Sequence, residues 1–242
     1  MGTNTIIIFG HGPGVSHAVA RRFGKAGHPV ALVARNATRL KVAVDALSTE
    51  GIQAHAIVAD LTEVGAVERV VAEVQTGLGP IGILHWNVFL DIDGDLLSTP
   101  PSDLSRSFDI RVTRYIAAVQ ASVSDLERTR GSVLVTSGVM ALDEPHINAF
   151  ATDYAALAIG VAAQRKATAL LAHTLAPRGI HVAEVVVNGF VAGTPGGAGK
   201  NAAVEPAVVA QRFWEMHSAR EAHSCVVGGA MPVGEGPSDR RS

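Results

Sequence analysis

A short run of glycines near the amino terminus is where residue types and spacing most clearly point to chemistry. Gly10-His11-Gly12-Pro13-Gly14 follows an apolar, β-branched run at 5–9 and precedes an amphipathic segment at 15–26. Glycines let a backbone approach a bound phosphate closely, and the amino end of the next helix offers free N–H groups and a positive dipole end. The pattern predicts a site for the pyrophosphate of a dinucleotide, with a simple tight turn as the alternative.

Two further positions bear on which dinucleotide is bound. The second apolar run ends at Ala34-Arg35-Asn36, where NAD-binding proteins place an acidic residue. A guanidinium can pair with a 2′-phosphate, so Arg35 favours NADP(H) over NAD(H); a solvated arginine at a helix start is the alternative. Asp60-Leu61 closes the third run and is expected beside the adenine, while Asp60 also has the type of a helix N-cap.

The elements that must position these residues alternate along the chain. Strands are predicted at 5–9, 30–34, 54–59, 81–87, 132–136 and 181–187, and helices at 15–26, 37–50, 63–76, 101–128, about 150–176 and 205–218. Buried apolar strands separated by helices are typical of a parallel sheet covered on both faces. We therefore expect an α/β fold: a doubly wound parallel sheet in one three-layer, Rossmann-like domain over 1–233. A helix on the substrate side is expected at about 204–218, and a flexible tail at 234–242.

Composition excludes several other classes of protein. Of the 242 residues, 48% are hydrophobic and 17% charged, which argues against disorder and for one domain with a large core. Lys plus Arg number 20 against 22 for Asp plus Glu, so no basic excess calls for nucleic acid or a membrane surface. The longest apolar run, 154–163, is about half of a membrane span. A lone Cys225 and scattered histidines predict no disulfide and no metal site, and a cytoplasmic location is expected.

Taken in order, the motifs resemble the short-chain dehydrogenase/reductase family over residues 5–230. The resemblance rests on GHGPGVS at 10–16, ALVARN at 31–36, VADLT at 58–62, ILHWN at 83–87, GSVLVTS at 131–137, LAPRGIHV at 175–182, NGFVAGT at 188–194 and EPAVVAQRFWEMHS at 205–218. It implies a nicotinamide cofactor, hydride transfer to or from a small carbonyl or alcohol, and a homodimer or homotetramer. The cofactor contacts expected from these motifs are Gly10, His11, Gly12, Gly14, Val15, Ser16, Arg35, Asn36, Asp60, Leu61, Asn87, Val191 and Thr194.

The sequence departs from the family pattern where that family keeps its Tyr-x-x-x-Lys pair. The pair needs one helix face, so that the ammonium lowers the pKa of the phenol. Counting back from LAPRG without gaps puts the two slots at Leu157 and Val161. Tyr154 is the nearest tyrosine, and Lys166 lies twelve residues further on, about 18 Å along a helix and on another face. The two cannot form the pair.

Other departures surround the same region. The same count puts Gly138, not Ser137, at the slot of the substrate-orienting serine. In the segment FDIRV at 108–112, on the helix after the fourth strand, Arg111 fills the slot of the family's active-site asparagine. Smaller departures are Ser16 for the third glycine, Asn87-Val88-Phe89 for Asn-Ala-Gly, and Asn188-Gly189 for Pro-Gly.

Three polar side chains are candidates to take over catalysis, and each has a plainer interpretation. Tyr154 is otherwise a core or interface tyrosine, and Ser137 a hydroxyl capping the strand end. Arg111 would place a permanent cation near the site, to orient an anionic substrate or replace the missing ammonium; otherwise it is an exposed arginine on a helix face.

These observations lead to one leading hypothesis and one alternative. The leading hypothesis is an NADP(H)-dependent oxidoreductase acting on a small molecule, with Tyr154, Ser137 and Arg111 in the active site and no metal. The alternative, motivated by Leu157 and Val161, is a catalytically impaired or non-redox protein on the same fold, with a binding, regulatory, isomerase or cyclase role. Because the run 154–163 is rich in alanine and apolar nearly all round, we expect its helix to pack against a second copy.

Overall fold

A seven-stranded parallel sheet forms the centre of the molecule in the computed structural model, which describes residues 4–200 and 204–231. Its strands are β1 (Thr5–Phe9), β2 (Val30–Ala34), β3 (Ala54–Val58), β4 (Ile81–Trp86), β5 (Ser132–Gly138), β6 (His181–Asn188) and β7 (Ser224–Gly228). Their order in the sheet is β3-β2-β1-β4-β5-β6-β7. Strands β2 and β3 are therefore added towards one side of β1 and the remaining four towards the other, so the strand order reverses between β1 and β4. The carboxyl ends of all strands meet at one edge, which is where open sheets of this kind bind ligands. The predicted doubly wound fold is confirmed.

Helices cover both faces of this sheet. They are α1 (Val15–Lys25), α2 (Ala37–Thr49), α3 (Ala66–Leu78), α4 (Pro101–Phe108), α5 (Arg114–Thr129), α6 (Pro145–Ala151), α7 (Ala155–Leu175) and α8 (Pro206–Ala219). One core lies between the sheet and α1, α2 and α8, and a second between the sheet and α3, α5 and α7. Neighbouring residues of a strand enter opposite cores, as Ile8 and Phe9 of β1 do. This explains why the strands read as continuous apolar runs.

Two predicted helices are each divided in the structure. The helix expected at 101–128 consists of α4, a π-helical turn at Asp109–Thr113, and α5. The helix expected at about 150–176 is interrupted after α6, because the backbone at 153–155 pairs with Gly94 instead. Gly94 N–H donates to Asp153 O at 2.8 Å, and Ala155 N–H donates to Gly94 O at 3.0 Å. A partner distant in sequence therefore fixes the start of α7.

The carboxyl-terminal part of the sheet differs from expectation in two ways. Strand β7 is absent from the predicted set, because its side chains are largely exposed and it pairs only with β6. The helix expected on the substrate side is α8, which packs along α1 through Val209, Phe213 and Met216. Only the residues before it approach the carboxyl edge, where Val204 N–H donates to Phe190 O at 3.2 Å. The tail expected at 234–242 lies outside the described residues, and none of the described helices has the length and apolarity of a membrane span.

Candidate functional site

The glycine loop joins β1 to α1 at the carboxyl edge of the sheet. Gly10 has φ +79°, and a Cβ there would lie 2.7 Å from Asn87 O. Asn87 Nδ2 donates to Gly10 O at 3.1 Å, which ties the loop to the end of β4. At Gly12, by contrast, a Cβ would meet no atom within 4 Å. The fold itself thus requires Gly10, whereas Gly12 borders open space that a ligand can enter.

The amino end of α1 faces this space. No side chain caps the helix at Gly14, so the first N–H groups have no acceptor within the helix and the positive end of its dipole is open to an anion. Val15 and Ser16 are buried beneath the loop. The Gly12 N–H donates to Ser16 Oγ at 2.8 Å, so the serine at the third-glycine position braces the loop. The arrangement suits a phosphate group.

The turn that follows β6 closes over the same loop. A Cβ on Gly14 would collide with Thr194 Cγ2 and lie 3.4 Å from Val191 Cγ1. Thr194 Oγ1 donates to Val191 O at 2.8 Å, which fixes the shape of the turn. The structure therefore brings together the predicted contacts from the first and the sixth strand.

Two histidines lie side by side in the loop region. His11 Nε2 is 3.3 Å from His17 Nδ1, and the ring centroids are 5.5 Å apart. Burial, with a smaller contribution from His17, lowers the pKa of His11 to about 4. His11 is therefore neutral near pH 7 in the absence of an anion.

A cleft of about 510 Å³ lies beyond the ends of β2 and β3. Arg35 and Asp60 both line it, as predicted from their places at the strand ends. Asp60 Oδ1 accepts hydrogen bonds from Thr62 N–H at 2.9 Å and Thr62 Oγ1 at 2.7 Å. These bonds, and more weakly the charge of Arg35, lower the pKa of Asp60. Glu63, Arg69 and Glu73 also line the cleft, so it presents two arginines and three carboxylates, and Arg69 pairs with Glu63 at 3.2 Å.

Three neighbouring predictions have structural outcomes at this cleft. Asn36 caps α2, because its Oδ1 accepts from Arg39 N–H at 2.9 Å. Leu61 is buried in the core. The interpretation of Asp60 as a helix N-cap is wrong, because α3 begins at Ala66 after Gly65 and Asp60 instead closes a local turn with Thr62.

The substrate side of the site contains no titratable group at the family's Tyr and Lys slots. Leu157 is half-buried on the first turn of α7, and Val161, one turn on, is 1% exposed. At Gly138, which ends β5, a Cβ would meet nothing within 4 Å. The serine slot therefore borders open space in the same way as Gly12.

Tyr154 is the tyrosine that lies nearest to these slots. It directly precedes α7, is half-buried, and packs its ring on Phe150 at 5.6 Å between centroids. The chain's other tyrosine, Tyr115, is fully buried against Trp86, and burial raises its pKa. Of the two, only Tyr154 is placed to meet a ligand.

Ser137 points into the molecule beneath α7. Its Oγ is buried and faces the Glu184 carboxylate on the neighbouring strand β6. Glu184 pairs with Arg165 of α7 and accepts from Ser224 Oγ at 3.0 Å, and burial raises its pKa. The structure thus places Ser137 with a buried ion pair, apart from Tyr154.

Arg111 lies in the π-helical turn and is 7% exposed, so its interpretation as an exposed arginine on a helix face is wrong. Its Nη1 donates to Gln164 Oε1 at 3.3 Å, and Gln164 Nε2 donates to Thr136 O at 3.0 Å. Sequence reasoning missed Gln164, although it is the polar residue that ends the apolar run of α7. Its burial depends on the packing of α7 against β5 and could not be read from spacing alone.

Known proteins resemble this chain along most of its length. A family model described as short chain dehydrogenase matches residues 4–204. A short chain dehydrogenase of Pseudocercospora fijiensis is 32% identical over 72% of this chain and 58% of its own length. The meso-2,3-butanediol dehydrogenase of Serratia marcescens is 31% identical over 57% of this chain and 54% of its own. The chain thus spans just over half the length of these two curated relatives.

Solved structures share the fold. A blue fluorescent protein from a metagenomic library, in complex with NADPH, has a TM-score of 0.82 at 22% identity, over 94% of this chain and 97% of its own. The L-sorbose reductase of Gluconobacter frateurii, complexed with NADPH and L-sorbose, has a TM-score of 0.81 at 18% identity, over 96% of this chain and 97% of its own. With the match over residues 4–204, we conclude that the chain belongs to the short-chain dehydrogenase family.

Proposed function

We propose that this protein is an NADP(H)-dependent oxidoreductase that acts on a small carbonyl or alcohol. The observation that carries the proposal is the open space at Gly12, which adjoins the uncapped amino end of α1. Nothing in the chain's own packing requires a glycine at this position, whereas a phosphate lying against the backbone does.

Different residues around the glycine loop contact different parts of the cofactor. The N–H groups at the start of α1 hold the pyrophosphate, and Ser16 keeps the loop in shape. Arg35 pairs with the 2′-phosphate, since a planar guanidinium binds phosphate through two hydrogen bonds. Asp60 lies beside the adenine in the same cleft. The NADPH-bound relatives in fold support this choice of cofactor over NAD(H).

NADPH supplies the hydride when it is bound, and the chain must supply a proton to the carbonyl oxygen. Tyr154 is the residue that we assign to this step, because Tyr115 is buried in the core. Val161 supplies no ammonium beside it, so Tyr154 lacks the cationic neighbour that assists proton transfer in the family's pair.

The second candidate is a binding protein on the same fold that performs no hydride transfer. It is favoured by one observation: the three catalytic slots of α7 and β5 hold Leu157, Val161 and Gly138, which carry no proton donor. In this case the cofactor or another nucleotide binds and the carbonyl is left unreduced.

Calorimetric titration with NADPH and NADH tests the cofactor. We expect the chain to bind NADPH more tightly than NADH, and the Gly12→Val variant to lose about 100-fold in NADPH affinity because its side chain fills the phosphate site. Its melting temperature should not change, since a Cβ at Gly12 meets no neighbour. Gly77→Val on α3 is the matched control, because a Cβ there also meets nothing within 4 Å. Absence of NADPH binding by the unmodified chain, or an unaffected Gly12→Val variant, would overturn the proposal.

Turnover then separates the two candidates. We expect slow oxidation of NADPH with some members of a panel of small aldehydes and ketones, and loss of that activity in Tyr154→Phe. NADPH affinity should be the same in both proteins. Binding without any oxidation over the whole panel would favour the second candidate, and turnover unaffected by Tyr154→Phe would remove Tyr154 from the mechanism.

A homo-oligomer is the assembly that the outer face of α7 supports. Ile159 and Leu170 are exposed on this helix, and Phe108 is exposed on the adjoining α4. Exposed apolar side chains of this size mark association surfaces when they occur together. Light scattering coupled to gel filtration should give the mass of a dimer or tetramer, and Leu170→Glu should lower it.

A further inference from the structure

Arg111 carries a buried positive charge that no carboxylate of residues 4–200 or 204–231 neutralises by an ion pair. Its side chain makes one hydrogen bond, from Nη1 to Gln164 Oε1, at the long distance of 3.3 Å. Its Nε is buried and has no partner among the described residues. Burial lowers the pKa of Arg111 to about 10, so the group stays protonated at pH 7. A buried cation without a counter-charge is costly, and proteins keep one where a ligand supplies the anion.

Neighbouring arginines with a structural role form ion pairs with carboxylates of the chain. Arg114, three residues along, pairs with Asp109 at 3.0 Å. Arg165 on α7 pairs with the buried Glu184. Among the residues that the structure describes, no carboxylate pairs with Arg111. The difference sets Arg111 apart from arginines that hold elements together.

Three elements build the place that Arg111 occupies. Gly160 of α7 lets the side chain pass, because a Cβ there would lie 3.1 Å from Arg111 Cδ and collide with Ser107 Oγ. Gln164, one turn further along α7, receives the Nη1 hydrogen bond and is itself fixed by Thr136 O of β5. The π-helical turn that carries Arg111 is an irregularity of the type that often marks functional sites.

The guanidinium lies on the substrate side of the crevice. It bonds Gln164, whose own side chain donates to Thr136 O close to the end of β5, and its Cζ is 5.7 Å from the centre of the Phe89 ring, which follows β4. The glycine loop that serves the cofactor's phosphates follows β1. Phe89 is 55% exposed, so the ring beside the cation is open to solvent.

We propose that Arg111 binds a carboxylate of the substrate, so that the substrate is a carbonyl or hydroxy compound that carries a carboxylic acid. The proposal rests on the function proposed above and names the substrate class of that site. A guanidinium presents two parallel N–H donors that match the two oxygens of a carboxylate. Its free Nε is available for one of these bonds.

Binding of an acid and its ester tests the proposal. The probes are 2-oxobutanoate and methyl 2-oxobutanoate, titrated by calorimetry into the protein with and without NADPH. We expect the acid to bind at least about tenfold more tightly than the ester, because a hydrogen bond to a charged group is the stronger kind. Arg111→Met should abolish the preference, and Arg111→Lys should keep part of it. Arg106→Met removes an exposed arginine of α4 that already pairs with Asp103, and serves as control.

A second variant keeps the test decisive if Arg111→Met does not fold. Gln164→Glu places a carboxylate beside Nη1 and is expected to remove the preference for the acid, since Arg111 then has an internal partner. The substitution also removes the Nε2 donor to Thr136 O, so folding of the variant is checked by its melting temperature. Equal binding of acid and ester by the unmodified chain, binding of neither, or a preference that survives in Arg111→Met would overturn the proposal. NADPH titration of the same proteins decides the cofactor separately: NADPH binding without an acid preference refutes only this inference, and an acid preference without NADPH binding refutes only the proposed cofactor.

Discussion

The two halves of the sheet have diverged from their family to different degrees. In the first half, β1 to α3, the glycine loop, the uncapped α1 and the charged cleft are those of a dinucleotide site. In the second half, β4 to β7, the slots of the proton-transferring side chains hold Leu157, Val161 and Gly138. With the slots assigned in this way, the fold of the family is kept while the side chains predicted at its catalytic positions differ, and function resides in particular side chains.

Introducing the family's Tyr-x-x-x-Lys pair is the strongest test of this difference between the two halves. In the double variant Leu157→Tyr/Val161→Lys, the phenol and ammonium lie four residues apart on α7. We expect NADPH oxidation with a carbonyl panel to rise by about 100-fold or more, the usual contribution of a positioned general acid. The rate of NADPH oxidation is measured from the decrease in NADPH absorbance.

The control for that variant adds the same side chains elsewhere on α7. Ala169→Tyr/His173→Lys has the same spacing on an exposed part of the helix and should leave turnover unchanged. If the double variant at Leu157 and Val161 binds NADPH and still reduces nothing, the second half has lost more than two side chains, and Arg111 becomes the leading cause.

A smaller effect is expected in the first half, at the cleft. Arg35→Ser should lower NADPH affinity by about tenfold to 100-fold, the usual range for a lost hydrogen bond to a charged group, and should leave NADH affinity unchanged. Arg39→Ser is the matched control, since Arg39 is also exposed and lies one helical turn away on α2. Equal losses for NADPH and NADH would mean that Arg35 does not discriminate between them.

The smallest effect concerns acid stability, because burial lowers the pKa of histidines in both halves. They are His11 and His17 in the first half, and His85, His181 and His217 in the second; His11 and His85 are the two compared. Burial lowers the pKa of His85 on β4 to about 3 and that of His11 to about 4, both from about 6.5. As the pH falls below 6.5, these two histidines therefore become protonated in the unfolded chain while they stay neutral in the folded chain. The free energy of unfolding should fall by up to about 1.4 kcal/mol per pH unit for the fully buried His85, until the pH reaches its folded pKa.

Urea unfolding at pH 7.5, 6.5 and 5.5 measures this loss. His85→Gln and His11→Gln should each show a shallower dependence on pH than the unmodified chain. NADPH should reduce the loss due to His11 and leave that of His85 unchanged, because a phosphate beside His11 favours its protonated form. The same pH dependence in all three proteins would exclude both imidazoles.

Most of the fold could be predicted because its signals are local. Buried parallel strands read as continuous apolar runs, and Gly10-His11-Gly12-Pro13-Gly14 stands directly between a strand and a helix. The interruption before α7 could not be foreseen, because it depends on Gly94, some 60 residues earlier in the chain. Strand β7 was missed because an exposed edge strand has no continuous apolar run.

The candidate site was predictable only in part, for a similar reason. Arg35 and Asp60 follow strand ends, so their places at the cleft follow from their positions in the sequence. The burial of Arg111 arises from Gly160 and Gln164 on another helix. The inward direction of Ser137 depends on Glu184 of the neighbouring strand. The surroundings of Arg111 and Ser137 are formed by side chains from separate segments, and these contacts cannot be predicted from spacing along the sequence.

The strand order has a consequence for how such proteins can be recombined. Because β1 lies between β2 and β4, each half of the sheet is one unbroken stretch of sequence, and the chain crosses between the halves once, at Gly79-Pro80. A single exchange at that junction would transplant the whole nucleotide-binding half onto another relative. The graft needs to preserve the contacts between the halves, which include the register of β1 on β4, in which Ile7 pairs with Leu84, and the packing of α1 on α8 and of α3 on α5.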